Sequence, residues 1–173
     1  MGGAEDLVPL RVHDTTTGVW KAPPKIETTV DGVKYSVQRF RPRIEGSFSS
    51  IELWSHIPDA NSPSVYSYWR TVAPGNRISF YGKTSESRIS DPQDPSRIVS
   101  WLLCEVRDSR GSMMAVSYKP EDSQRISQNG SMPLNERNRT ESLRSANRYP
   151  KSIRYGNRVS TLSANAGQSQ EHP

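Results

Sequence analysis

A single cysteine in 173 residues leaves this chain without any intrachain disulfide, and Cys104 alone cannot build a multi-cysteine zinc site. Histidine is nearly as scarce. His13, His56 and His172 lie far apart, and none has a histidine or cysteine partner at the i+2 or i+4 spacing that metal sites favour, so they read as surface or strand residues. Apolar residues make up only 32% of the chain, little material for a self-sufficient core. No apolar run approaches the roughly 20 residues that span a bilayer, which argues against direct membrane insertion. The amino terminus lacks the charged and then apolar pattern of a signal peptide. Any export signal is therefore expected elsewhere or of a non-classical kind. The run from Leu7 starts abruptly, as an interior segment of a larger protein would.

What is present is polar and of mixed charge. Lys and Arg number 23 against 18 Asp and Glu, for a net charge of +5, which disfavours a dedicated nucleic-acid binder. Sparse aliphatic residues with abundant Ser, Arg, Asn and Pro approach a disordered composition unless partner surfaces supply burial. Four Trp and seven Tyr argue against disorder throughout.

The periodicity is that of strands. Leu7 to Val12 reads as a short strand, and residues 15–25, with Pro23-Pro24, as a connector. Asp31-Gly32 predicts a two-residue hairpin turn between Thr29-Val30 and Val33–Phe40. In that return strand Val33, Tyr35, Val37 and Arg39 share one face. Residues 48–57 form a further strand, and 65–72 and 77–81 a pair across Ala73-Pro74-Gly75-Asn76. The polar stretch 83–97, with Pro92 and Pro95, reads as a loop that interrupts the sheet. Residues 98–107 are apolar on both faces, the pattern of a strand covered on two sides. Met113 to Tyr118 returns antiparallel to it across Asp108–Gly111. Residues 120–147 read as loop, Tyr149–Tyr155 as a last strand, and Gly156-Asn157 as a turn. Trp54, Trp69 and Trp101 are expected to supply much of the core.

Several ordered blocks then resemble one family. They are GAEDLVPL (3–10), YSVQRFRPRIEG (35–46), ISFYGKTSESRISDPQDPSRIVSWLLCEVRDSRG (78–111), NERNRT (135–140) and RSANRYPKSIRYGNR (144–158). Their order and spacing resemble the SpvB amino-terminal region shared with the B components of insecticidal toxin complexes. The resemblance implies a wall segment of a hollow β-sheet shell that encloses a toxic polypeptide. It implies as partners the remainder of the toxin B chain, the toxin-complex C component and then the A-component channel. Asp108 to Gly111 followed by Tyr118 also looks like one YD repeat of such shells.

Chemistry is thin. The ADP-ribosyltransferase activity associated with the family resides in a separate carboxy-terminal domain marked by Glu-x-Glu, and no Glu-x-Glu occurs here. Asp91, Asp94 and Glu86 offer oxygen ligands, but Pro92 and Pro95 and the missing Asp-x-Asp-x-Asp-Gly pattern favour two rigid turns over a calcium site. Cys104 sits in the most apolar strand, where a thiol acts as a small hydrophobe. The basic run Arg137 to Arg158, with Arg139, Arg144, Arg148, Lys151 and Arg154 between Tyr149 and Tyr155, suits phosphate contacts and base stacking. Glu136 and Glu141 in the same stretch favour a solvated charge run. The sequons at Asn129 and Asn138 matter only in a eukaryotic secretory pathway.

The chain is thus expected to be all-β, antiparallel hairpins forming part of a larger β-sheet shell with long polar loops. Residues 1–158 make the shell segment and 159–173 a disordered tail. It is expected to be secreted after a cytoplasmic pool and to lack catalytic residues, cofactors, metals and small-molecule substrates. The alternative is a small basic module that binds an acidic partner or nucleic acid.

Overall fold

The computed structural model describes residues 6–44, 46, 48–124, 133–136 and 138–162. The amino-terminal apolar run is not one strand. β1 (Leu7–Pro9) joins the main sheet, whereas β2 (Val12–His13) pairs with β3 (Trp20–Lys21) inside the expected connector. Asp14 diverts the chain: Oδ1 accepts the Thr16 amide at 2.9 Å, and Oδ2 takes Lys21 Nζ at 2.6 Å. A carboxylate folded onto its own following amides makes a turn that competes with extended pairing.

The Asp31-Gly32 turn forms as its chemistry requires. Both residues have positive φ, 51° and 79°, and join β4 (Ile26–Val30) to β5 (Val33–Pro42) with Val30 opposite Val33. At ten residues β5 is long enough for two partners on one side, β4 along its first half and β1 along its last three residues. Its other side takes β6 (Ser50–His56), and a meander continues through β7 (Ser67–Ala73) and β8 (Arg77–Tyr81).

The segment 83–97 does interrupt the main sheet, but it is not all loop: it supplies one strand of a separate hairpin. A 3-10 turn at Ser85–Ser87 leads into β9 (Arg88–Ser90), which pairs with β10 (Ile98–Trp101). Asp91 and Asp94 fold onto the amides of Gln93 and Ser96, and Arg97 reaches both carboxylates. The two prolines thus sit in a closed loop between short strands.

Residues 98–107 are correspondingly two strands and not one. The peptide of Leu102 is claimed from both sides, its N–H by Ser87 O at 2.8 Å and its carbonyl by Gly82 N at 2.9 Å. The chain leaves the small hairpin there and enters the main sheet as β11 (Leu103–Arg107), beside β8. Cover on both faces is not found either, since Val99 is 78% exposed. β12 (Met113–Pro120) returns across the Asp108–Gly111 turn, where Asp108 Oδ1 accepts the amides of Arg110 and Ser112.

The expected loop 120–147 contains α1 (Glu141–Ala146), whose first turn is capped by Thr140 Oγ1 accepting the Leu143 amide. β13 (Arg148–Tyr155) then closes the order β1-β5-β6-β7-β8-β11-β12-β13, with β4 also on β5, nine antiparallel strands in all. The fold is all-β and antiparallel. Among the described residues no helix is long and apolar enough to cross a membrane.

After β13, Asn157 receives the Met113 amide and donates to Gly111 O, and Thr161 N bonds the same carbonyl. Residues 163–173 of the expected tail lie outside the described residues.

The core is small. Buried apolar side chains among the described residues are Val37, Ile51, Tyr68, Cys104 and Met113. Trp54, Trp69 and Trp101 are half-buried rather than enclosed. Trp101 is nonetheless fixed, with Nε1 donating to Ser67 O at 2.9 Å and its ring edge-on to Trp69.

Gly82 has φ +73°, and a Cβ there would lie 2.3 Å from Trp101 Cδ1, whereas one on Gly32 would meet open space at a similar φ. Gly32→Ala is expected to cost about 1 kcal/mol of left-handed strain. Gly82→Ala costs clearly more, because it also evicts Trp101. Urea unfolding of the two variants checks this, and equal losses would contradict it.

Candidate interaction surface

Strand alternation sorts the sheet into two faces. On one, residues directly opposite each other form three rows. Tyr35 lies opposite His56, which stacks on Tyr66 just before β7. Val37, Trp54 and Tyr68 form the next row, and Arg39, Glu52, Arg70, Phe80 and Glu105 the third.

The first two rows are an aromatic cluster. Trp54 stacks on Tyr68 with centroids 5.7 Å apart, Tyr35 meets both edge-on, and the Tyr35 and Tyr66 hydroxyls are 3.1 Å apart. Burial pushes the Tyr35 and Tyr68 phenols up from their ordinary value, and the hydroxyl contact with Tyr66 adds to the rise at Tyr35. Both stay neutral across the working range. His56 is only 5% exposed and its Nδ1 contacts Ser64 O at 2.5 Å. It is a packed, hydrogen-bonded ring of the cluster.

The third row alternates charge with aromatic surface. Glu52 accepts from Trp54 Nε1 at 3.0 Å and from Arg70 Nη1 at 3.1 Å. The Arg70 guanidinium also lies 5.8 Å from the Trp54 ring centre. Glu105 holds Arg107 and Lys83, and both cations approach the Phe80 ring. Arg88 differs from these. It sits 4.6 Å over Tyr66 with its Nη1 buried and unbonded, and burial lowers its pKa.

The residues weighed from sequence are not brought together. His13 packs against Trp20, His56 lies in the aromatic cluster, and His172 is outside the described residues. Asp91 and Asp94 are occupied by their turns and Arg97, apart from Glu86 at the 3-10 turn. Cys104 is buried and donates to Phe80 O at 3.3 Å. Two arginines of the basic run are neutralised by carboxylates. Arg139 forks onto Glu121 with two 2.7 Å bonds, and Arg144, 2% exposed, bonds Glu136 Oε2 at 2.9 Å. Arg148 binds Ser145 O, and Arg137 is outside the described residues. Lys151 and Arg154 remain exposed on β13. Sequence reading missed the Glu52–Arg70 pair, whose signal was a Glu two residues before Trp54 and an Arg next to Trp69 on adjacent strands.

Glu121 joins β12 to α1. Arg139 foremost, and then the Asn147 amide, hold its carboxyl below the ordinary value of 4.5. A depressed carboxyl stabilises the fold at pH above its unfolded value and loses that contribution as pH falls through the lower folded value. The Asn147 side-chain amide signal is therefore expected to shift with a midpoint below 4.5, and Glu121→Gln should abolish that transition. A midpoint at or above the ordinary value would contradict the pairing.

The same sheet recurs in known proteins. A match to the family described as Salmonella virulence plasmid 65kDa B protein runs over residues 1–172. The mono(ADP-ribosyl)transferase SpvB of Salmonella typhimurium strain 14028s is 33% identical over 123 residues, 71% of this chain and 19% of that protein. The chain thus spans about a fifth of the curated relatives it matches. The amino-terminal domain of the effector SpvB from Salmonella typhimurium strain LT2 superposes with a TM-score of 0.69 at 29% identity, over 90% of this chain and 45% of that one. The TcdB2-TccC3 crystal structure gives 0.69 at 22% identity, covering 96% of this chain and 7% of that one, a likeness of fold. The Photorhabdus luminescens Tc holotoxin pore gives 0.68 with the same identity and coverage. The antiparallel sheet and the match along almost every residue lead to one conclusion: the chain belongs to the Salmonella virulence plasmid 65kDa B protein family.

Proposed function

We propose that this chain is a structural segment of a secreted insecticidal or virulence toxin-complex B component, one stretch of the β-shell that encapsulates the toxic polypeptide. The observation that carries this reading is the mismatch between sheet and core. Nine strands enclose five buried apolar side chains among the described residues, while Ile153 and Tyr155 on the last strand are 58% and 80% exposed. A long sheet with so little of its own core stays folded more readily when further sheet or partner surface covers its flank. The likeness of fold to TcdB2-TccC3 supports the same role.

The mechanism is containment, with no bond chemistry. The curated relatives are named as mono(ADP-ribosyl)transferases, but this chain matches 19% of their length and carries no Glu-x-Glu. On this reading the catalysis named for those proteins belongs to the parts of them that this chain does not match. The partners on this reading are the remainder of the toxin B chain, the C component and then the A-component channel, and the site of action is extracellular after a cytoplasmic pool. Arg139 and Arg144, held by carboxylates, weaken the competing reading of a basic module for nucleic acid.

Sedimentation of the purified chain at about 50 mM and about 200 mM salt, with and without a labelled oligonucleotide, separates the two. The wall reading predicts self-association that rising salt does not weaken, with no oligonucleotide bound. A salt-indifferent monomer that binds the oligonucleotide, with affinity falling steeply as salt rises, would contradict it.

A further inference from the structure

We propose that the groove between β1, β5 and the β2–β3 hairpin binds an acidic, partly apolar peptide segment. The groove has a volume of about 360 Å³ and is lined by Val8, Pro9, Arg11, Trp20 and Arg41. Its apolar part is Val8, Pro9 and the Trp20 indole, which stays 59% exposed although His13 packs against it with ring centres 5.2 Å apart. An exposed tryptophan propped beside aliphatic surface offers a place for one apolar side chain.

The charges at its rim select the ligand. Neighbouring cations are satisfied, Lys21 by Asp14 at 2.6 Å and Arg43 by Asp6 at 3.5 Å. Arg11 and Arg41 line the groove and have no ion pair among the described residues. Two arginines on one concavity supply two positive charges with no anion paired to them among the described residues, and each guanidinium fork matches a carboxylate through two parallel bonds. Single-stranded nucleic acid fits less well, because it needs a continued track of cations. Lys21, the next cation along, is already neutralised. The site needs only this face of the chain and is independent of the wall proposal.

The test is fluorescence anisotropy of a labelled Asp-Leu-Glu-Phe peptide against the 173-residue chain. An Asn-Leu-Gln-Phe peptide and oligodeoxythymidine serve as comparators, and circular dichroism verifies that each variant is folded. The acidic peptide should bind, and Arg11→Gln or Arg41→Gln should each weaken it about tenfold, the size of one lost charge-assisted hydrogen bond. Arg41→Lys, which keeps charge but not the fork, should lose less. Arg77→Gln, an exposed arginine on β8 outside the groove, should change nothing. No binding, equal binding of the neutral peptide, tighter binding of oligodeoxythymidine or an equal loss from Arg77→Gln would each overturn the proposal.

Discussion

Glu52 sits in the middle of the sheet with little access to water, and a carboxylate in that position must be paired and hydrogen-bonded or it destabilises the fold by several kcal/mol. Trp54 Nε1 and Arg70 Nη1 meet that need from the same strand and from the next. The requirement fixes register. A one-residue slip between β6 and β7 would carry Glu52 to the face of Leu53 and Trp69 and unstack Trp54 from Tyr68. Because β5 pairs with β6 and β8 with β7, the register of both flanks follows from that central pair.

Outward from the centre, packing thins. Phe40 and Trp69 meet edge-on across the opposite face, with ring centres 5.0 Å apart, and Trp101 extends that contact. Beyond β12 the burial fades, and seven of the eight residues of β13 are exposed, Arg148 being the exception. What holds β13 is its ladder, a Ser117–Ser152 hydroxyl contact at 2.7 Å and the Asn157 link to Gly111 and Met113. Pro150, Lys151 and Arg154 blunt that edge as a strand without a partner requires, so what calls for further cover there is the exposed apolar surface of Ile153 and Tyr155.

Hairpins with strong turn chemistry were legible in the sequence. Asp31-Gly32, Ala73–Asn76 and Asp108–Gly111 each join the strands their residues foretold, because positive φ and side-chain-to-amide bonds act locally. The break at Leu102 was not legible. It depends on Ser87 and Gly82, brought there by the fold, and an apolar run carries no mark of a change of sheet. β9, and its pairing with 98–101, was hidden for a related reason, since Pro92 and Pro95 follow a strand of only three residues. At the candidate surface the aromatics could be named from sequence, but their pairing with Glu52, Arg70 and Arg88 required register. In the basic run the Glu136 partner was legible because it lies in the same stretch, whereas Glu121, 18 residues before Arg139, was not.

The chain has a strongly zipped centre, and its flanks are expected to depend on further structure. Hydrogen exchange of the isolated chain, resolved by strand, tests that directly. Slow exchange confined to β5–β8 and β11, with fast exchange in β13 and in β1–β4, is the predicted result. Uniform protection out to β13, lost in one cooperative step, would describe a self-sufficient domain and contradict the proposal that this chain is one stretch of a larger wall.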